Sequence, residues 1–157
     1  MYNADDEDLT ELGIKQAKEF GKRIKDMNFD LIISSPLVRA KHTALIININ
    51  HNQIIFDDRM RERSCGDLSG KSLETTNRDE YWNYNTTIQY GTSEDIRIFF
   101  ARVFNFLDEL KHKDYESVLI VAHSGVSKAF SVYFEGIGDG LFLNRGLKNC
   151  EIKEYVL

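Results

Sequence analysis

The sequence predicts an α/β fold, a three-layer sandwich in which a mostly parallel central sheet is flanked by helices. Two short apolar runs, Leu31-Ile32-Ile33 and Val118-Leu119-Ile120-Val121, have the length and composition of buried strands. Each run leads into a segment whose apolar residues recur at helical spacing, and strands that alternate with helices are typical of parallel sheets. The length of 157 residues fits one domain, and no linker composition divides residues 1–157.

The N-terminal half is predicted to form two helices and two strands. Thr10 is a suitable N-cap for the first helix, and Pro36 suits the first turn of the second. Strands are predicted over residues 30–34 and 53–56. The core-facing positions of the two helices share helical spacing; they are Leu12, Ala17, Phe20 and Ile24 in the first, and Leu37, Ala40, Ala44 and Ile47 in the second.

The C-terminal half begins with a charged, aperiodic stretch over residues 57–91, where we expect an irregular excursion with short helices near Leu73 and Tyr81-Trp82. Ser93 is followed by two acidic residues, which predicts a helix start. A strand is predicted over residues 118–121 with a helix after it. Residues 151–156 alternate between polar and apolar side chains, which predicts an edge strand.

Composition excludes several classes of function. The net charge of −5 argues against a nucleic-acid partner, which normally meets a basic face. No apolar stretch approaches the roughly 20 residues of a membrane span. Cys65 and Cys150 are far apart and lack metal-ligand spacing, and two unpaired thiols fit a reducing compartment. We therefore expect a cytoplasmic protein with no nucleic-acid partner, no membrane contact and no bound metal.

Three chemically suitable side chains are candidates for an anion site. Arg39 lies in the first turns of the helix after a predicted strand, where a guanidinium and helix amides suit a phosphate. His123 directly follows the strongest predicted strand. Because ligands of parallel sheets bind beyond the carboxyl ends of the strands, we expect these two residues to lie close together. Glu62, flanked by arginines, suits a general acid if its surroundings keep it protonated. Taken singly, each also fits an ordinary structural role.

Taken in order, these segments resemble the histidine phosphatase superfamily, also called phosphoglycerate mutase-like. The segments are Thr10-Glu11-Leu12-Gly13, Ser34-Ser35-Pro36-Leu37-Val38-Arg39-Ala40, Arg61-Glu62-Arg63, Gly91-Thr92-Ser93-Glu94 and Ala122-His123-Ser124-Gly125. The resemblance implies that Arg39 and Ser124 bind phosphate and that His123 contacts and positions the phosphoryl group. It also implies that Glu62 protonates the leaving oxygen, with no metal or other cofactor. Ser124 stands where the family commonly has glycine.

The chain departs from the family pattern at its start. Family members open with a strand that ends in Arg-His-Gly, whose histidine attacks phosphorus, whereas residues 1–8 contain neither an apolar strand nor a histidine. We therefore expect an N-terminally truncated domain with little or no turnover. The resemblance implies that the absent strand lies between the strand before Arg39 and the strand before His123. We therefore expect a gap in the sheet. A borrowed strand, a homodimer or the rest of a longer product would fill it.

The expected function is a phosphatase that acts on small phosphomonoesters through a phosphohistidine, with a phosphorylated substrate or phosphate ion as ligand. The excursion after Glu62 is shorter than in true mutases, which favours a phosphatase over a phosphoglycerate mutase. An inactive phosphate-binding or protein-interaction module is the main alternative. A P-loop over residues 66–72 has the wrong glycine spacing, and a cysteine phosphatase at Cys65 lacks the required arginine. Tyr81, Trp82, Tyr84 and Arg78 either line the pocket or pack as a helix.

Overall fold

The computed structural model describes residues 6–72, 74 and 76–157 of the chain. The described residues form five α-helices and three strands. The helices are α1 (Glu11–Ile24), α2 (Val38–Ile47), α3 (Arg78–Tyr81), α4 (Ile96–Leu110) and α5 (Ser124–Glu135), and the strands are β1 (Leu31–Ser34), β2 (Ile54–Phe56) and β3 (Val118–Val121). Short 3-10 turns occur at Asp58–Met60, Gly66–Leu68 and Leu143–Arg145.

The three strands form one parallel sheet in the order β2-β1-β3. The central strand β1 pairs with β3 over its whole length, from Leu31 opposite Val118 to Ser34 opposite Val121. All four residues of β1 are buried, as expected for a parallel strand that is covered on both faces. The carboxyl ends of β1 and β3 therefore lie side by side at one edge of the sheet.

The side chains of the sheet divide the core into two apolar clusters, one on each face. Leu31 and Ile33 pack with α4 and α5, whereas Ile32 and Leu119 pack with α1 and α2. This alternation is the strand period of two, and it gives the predicted three layers of helix, sheet and helix. None of the described helices is long and apolar enough to cross a membrane.

Most predicted elements are confirmed, with shifts at their starts. The Thr10 side chain caps α1 by accepting a hydrogen bond from Gly13 N (3.2 Å), but Leu12 is 64% exposed and outside the core. Pro36 precedes α2, because Leu37 takes the N-cap position. The helix predicted to start at Ser93 begins at Ile96, because the Asp95 side chain caps it through Arg97 N. The prediction at Leu73 lies outside the described residues.

The predicted gap between the strands that deliver Arg39 and His123 is wrong. Those strands are β1 and β3, and they are direct neighbours whose backbone groups bond each other. Ser35 N extends this pairing beyond the strand end by donating to Val121 O (2.9 Å). There is accordingly no opening between these two strands for a borrowed strand or for a homodimer partner.

The edge strand predicted over residues 151–156 is also wrong. The segment has no strand structure, because its backbone pairs with none of the described strands. It is held by side chains instead. The Tyr155 ring stacks on the Phe134 ring of α5 with 4.4 Å between centroids, and Lys153 pairs with Glu135 on the same helix.

The central position of β1 predicts an uneven response to truncation of strand isoleucines. Ile32→Ala should lower the free energy of unfolding by about 2–5 kcal/mol, since Ile32 is 2% exposed and the truncation leaves a cavity. Ile55→Ala on β2 is the matched control, because Ile55 is 40% exposed and should cost under about 1 kcal/mol. Urea denaturation measures both. Equal losses would contradict the central placement of β1.

Candidate functional site

The candidate site forms where β1 and β3 end, because their pairing brings together the residues that follow them. Ser35 directly follows β1, and His123 is the N-cap residue of α5 after β3. The Ser35 hydroxyl oxygen lies 2.8 Å from His123 Nε2. Ser35 is fully buried, so this contact belongs to the interior wall of the site.

Arg39 supplies an uncompensated positive charge at the same edge. It is the second residue of α2 and its side chain is half-buried. Within the described part of the chain, no carboxylate pairs with its guanidinium, and no hydrogen bond of that group is found. Its charge nevertheless acts on His123, whose pKa it lowers. Arg39 and His123 thus follow the adjoining ends of β1 and β3, and their direct proximity stays a prediction.

His123 is held in its neutral form. Burial is the main cause that lowers its pKa to about 3, and the charges of Arg39 and Arg102 lower it further. A neutral imidazole has one N–H donor and one acceptor nitrogen. At neutral pH this side chain can therefore donate one hydrogen bond to an anion without adding a full charge.

Glu62 connects the excursion to the start of α5. Its Oε2 accepts a hydrogen bond from Gly125 N (2.9 Å), and its Oε1 accepts one from Arg63 N (2.8 Å). Gly125 permits this approach because a Cβ there would overlap Glu62 Oε1 and lie 2.8 Å from the Trp82 ring. The carboxylate therefore lies at the start of α5, where it is bonded to the residue two positions after His123.

The arginines that flank Glu62 in sequence have other partners. Arg59 pairs with Asp57 and Glu109, and Arg61 pairs with Asp58. Arg63 is 4% exposed and its guanidinium lies over the Tyr81 ring, 4.0 Å from the centroid. The three guanidinium groups therefore do not surround the Glu62 carboxylate, although their positions in the sequence suggest that they would.

Arg102 of α4 fixes the loop that carries Glu62. Its guanidinium donates to the backbone oxygens of Arg59 (2.6 Å), Arg61 (2.9 Å) and Glu62 (3.2 Å). It also forms two hydrogen bonds to the Glu94 carboxylate, and Glu94 accepts a further bond from Ser64 N. One planar cation thus holds three backbone carbonyls of an irregular loop, which the planar fork of donors in arginine allows.

Ser124 opens α5, and its side chain is turned towards Lys128. The ammonium of Lys128 donates to Ser124 Oγ (3.3 Å) and lies over the Trp82 ring, 4.8 Å from its centroid. Lys128 is 5% exposed. Burial lowers its pKa, while the nearby Glu62 carboxylate opposes that shift. The Ser124 hydroxyl therefore accepts from Lys128 and keeps its own hydrogen to donate, and the Ser124 backbone N–H at the helix start is a second donor that fits an anion.

The aromatic residues of the excursion divide between the site and the core. Trp82 packs against Gly125 and Lys128 at the site. Tyr81 is 2% exposed, and Tyr84 packs against Phe142 in the core. Trp82 therefore contacts the start of α5 beside Glu62, whereas the Tyr81 ring contacts Arg63, the residue after Glu62.

Other candidate chemistries find little support at this edge of the sheet. Burial raises the pKa of the Cys65 thiol, which disfavours the thiolate that a cysteine phosphatase needs. His42 bonds Asp8 with 2.8 Å between Nδ1 and Oδ1. The described residues contain no group of three or more potential metal ligands.

Comparison with known proteins assigns the family. The sequence profile of the histidine phosphatase superfamily (branch 1) matches residues 1–157. The chain belongs to this superfamily. The protein named "Putative phosphoserine phosphatase 2" of Hydrogenobacter thermophilus is 35% identical over 156 residues, which cover 95% of this chain and 77% of that protein. The uncharacterized phosphatase PhoE of Bacillus subtilis is 34% identical over 152 residues, which cover 93% and 76%.

A solved histidine phosphatase superfamily structure gives the same fold. It is the mycobacterial glucosyl-3-phosphoglycerate phosphatase in complex with inorganic phosphate, with a TM-score of 0.77 at 25% identity. The superposition covers 91% of this chain and 76% of that chain. The α/β architecture predicted from the sequence is thereby confirmed.

The sequence predicts that the candidate residues lie at one edge of the sheet, but it does not identify the residues that hold them in place. Arg102 and Lys128 interrupt apolar helix faces, and a cation at a core-facing helical position is the signal that could have found them. Ser35 lies in the segment from Ser34 to Ala40, and the sequence pattern alone gives it no role. Its contact with His123 joins positions 88 residues apart, which periodicity does not show.

The close approach at α5 predicts that Gly125→Ala is harmful. The new Cβ would displace the Glu62 carboxylate and break its bond to Gly125 N, so we expect a loss of about 1–3 kcal/mol in the free energy of unfolding. Gly13→Ala is the matched control in the first turn of α1, because its Cβ would meet the flexible Leu9 side chain at 3.3 Å and Thr10 Oγ1 at an ordinary contact distance of 3.6 Å. Urea denaturation of the two variants measures this, and equal stabilities would contradict it.

The neutral state of His123 predicts a pH-dependent stability. The unfolded chain binds a proton on this side chain below a pH of about 6.5, whereas the folded chain stays neutral until about pH 3. Stability is therefore lost as the pH falls through this window. His123→Gln should flatten the decline in the free energy of unfolding between pH 7 and pH 5.

His112→Gln is the control for this measurement, since His112 is exposed after α4 and should keep the wild-type slope. Urea titrations at several pH values give the slopes. If His123→Gln declined as steeply as the wild type, His123 would not be buried in its neutral form.

Proposed function

We propose that this chain binds the phosphate group of small phosphomonoesters between Arg39, His123 and the backbone N–H of Ser124. The observation that carries the proposal is the Arg39 guanidinium, which has no carboxylate partner in the described part of the chain, together with a neutral histidine at the edge of the sheet where two helices begin. Helix N-terminal amides and an arginine are complementary to phosphate in both charge and geometry. The related mycobacterial phosphatase was solved in complex with inorganic phosphate, which supports the choice of anion.

In the phosphohistidine chemistry of the superfamily, a histidine nucleophile takes the phosphoryl group from the ester oxygen, and we propose that Glu62 holds the position of the acid that protonates this leaving oxygen. Glu62 lies at the start of α5 beside the proposed phosphate position, where proton transfer to a leaving oxygen is geometrically possible. The positive site supplies the electrostatic stabilisation of the transferred group, so no step requires a metal.

The nucleophilic histidine of this chemistry is, we propose, absent from the site that this chain forms. The sequence has four histidines, and all lie in the described residues. His42 is bonded to Asp8, while His51 and His112 are exposed and lie outside the group of residues around Arg39. His123 is then the one histidine at the site, in the position that contacts the phosphoryl group. The chain alone should bind phosphate and turn over little or nothing.

A non-catalytic phosphate-binding or interaction module is the second candidate, favoured by this shortage of histidines at the site. Relatives of the chain include both phosphatases and phosphoglycerate mutases. The short excursion after Glu62 supports a phosphatase as the catalytic form. Both candidates require the phosphate site, and only catalysis requires turnover.

Phosphate titration followed by ³¹P NMR tests the site. Arg39→Ala should weaken phosphate binding by about 10- to 100-fold, because a hydrogen bond to a charged group is lost. Arg23→Ala removes the same charge from the last turn of α1, which leads to the opposite edge of the sheet, and should leave the affinity unchanged. Equal affinities of Arg39→Ala and wild type would contradict the site.

Hydrolysis of p-nitrophenyl phosphate by the same chain tests the nucleophile. The expected rate is indistinguishable from buffer. Turnover that is abolished by His123→Ala, with a phosphohistidine trapped on this chain, would contradict the absence of a nucleophile and would exclude the non-catalytic module.

A further inference from the structure

The contact between Ser35 and His123 constrains which nitrogen of the imidazole carries the proton. Ser35 Oγ lies 2.8 Å from His123 Nε2, and Leu37 N donates to the same oxygen from 3.3 Å. Ser35 is fully buried, so water does not complete its hydrogen bonds. The neighbouring Ser34 hydroxyl does not compete, because it donates to Ser35 O (2.9 Å).

The hydroxyl of Ser35 has one hydrogen to donate, and a buried donor needs an acceptor. Leu37 N is a donor and cannot accept it. Among the described residues, His123 Nε2 is the one remaining partner of this hydroxyl. If Nε2 carried the imidazole proton, it would donate to Ser35 and leave the hydroxyl hydrogen without a partner. The arrangement that satisfies both groups has Ser35 donating to an unprotonated Nε2.

We propose that Ser35 is a positioning residue that fixes neutral His123 in the tautomer protonated at Nδ1. In this tautomer the Nε2 lone pair is occupied by the Ser35 hydroxyl, and Nδ1–H is the imidazole's remaining donor. Within the described residues, no group accepts a hydrogen bond from Nδ1. The low pKa of His123 means that this neutral form is the one present at physiological pH.

The consequence for the site, which rests on the proposed function, is that His123 has a different role from a nucleophilic histidine. His123 presents an N–H to a phosphoryl oxygen and retains no free lone pair with which to attack phosphorus. It therefore acts as a hydrogen-bond donor and not as a nucleophile. A single buried hydroxyl at the end of β1 thus assigns the role of the histidine that follows β3.

Long-range ¹H–¹⁵N correlation spectra of the histidine-labelled chain at pH 7 test the tautomer directly. The expected spectrum of His123 has a pyrrole-type Nδ1 and a pyridine-type Nε2. Ser35→Ala should shift the ring towards the Nε2-protonated form that free histidines favour, and should weaken phosphate binding by about tenfold. Ser35→Thr keeps the hydroxyl and should keep the wild-type pattern.

Ser34→Ala is the matched control, because it removes a buried hydroxyl from the neighbouring residue without touching His123. It should leave the His123 pattern unchanged. A wild-type Nε2–H tautomer, an unchanged pattern in Ser35→Ala, or an equal change in Ser34→Ala would overturn the proposal. Failure of the wild type to bind phosphate, with the tautomer pattern intact, would overturn the proposed function alone.

Discussion

The in-register parallel pairing of β1 with β3 is the constraint on which the rest of the structure depends. It places Ser34 opposite Val121 and so aligns the two strand ends. The segments that follow, Ser35 to Arg39 and His123 to Gly125, then have to meet at the same edge of the sheet. A slip of one residue would reverse the faces of the strand side chains, so the two apolar clusters also fix the geometry of the site.

The site built on this pairing combines buried polar groups, each with a defined partner. Glu62 accepts two backbone hydrogen bonds, Ser35 bonds His123, and Arg102 holds the loop carbonyls. Arg39 is the exception, because its charge has no carboxylate partner within the described residues. Burying polar groups is costly unless they are paired, and the half-buried Arg39 is accordingly the residue that we propose for an external anion.

The elements could be predicted because their signals are local. Strand composition and helical spacing located β1, β3 and α5, and the rule that ligands bind at strand ends predicted that Arg39 and His123 lie together. The gap was wrong because spatial strand order is not written in the sequence. The strand over residues 151–156 was wrong because alternation does not provide a pairing partner. The roles of Ser35 and Lys128 depend on contacts that form only in the folded chain.

A crystal structure of this chain with inorganic phosphate would test the central claim most directly. The account predicts a phosphate at the joint end of β1 and β3, with oxygens within hydrogen-bond distance of the Arg39 guanidinium, His123 Nδ1 and Ser124 N. Phosphate bound elsewhere, or β1 and β3 separated by another strand, would contradict it.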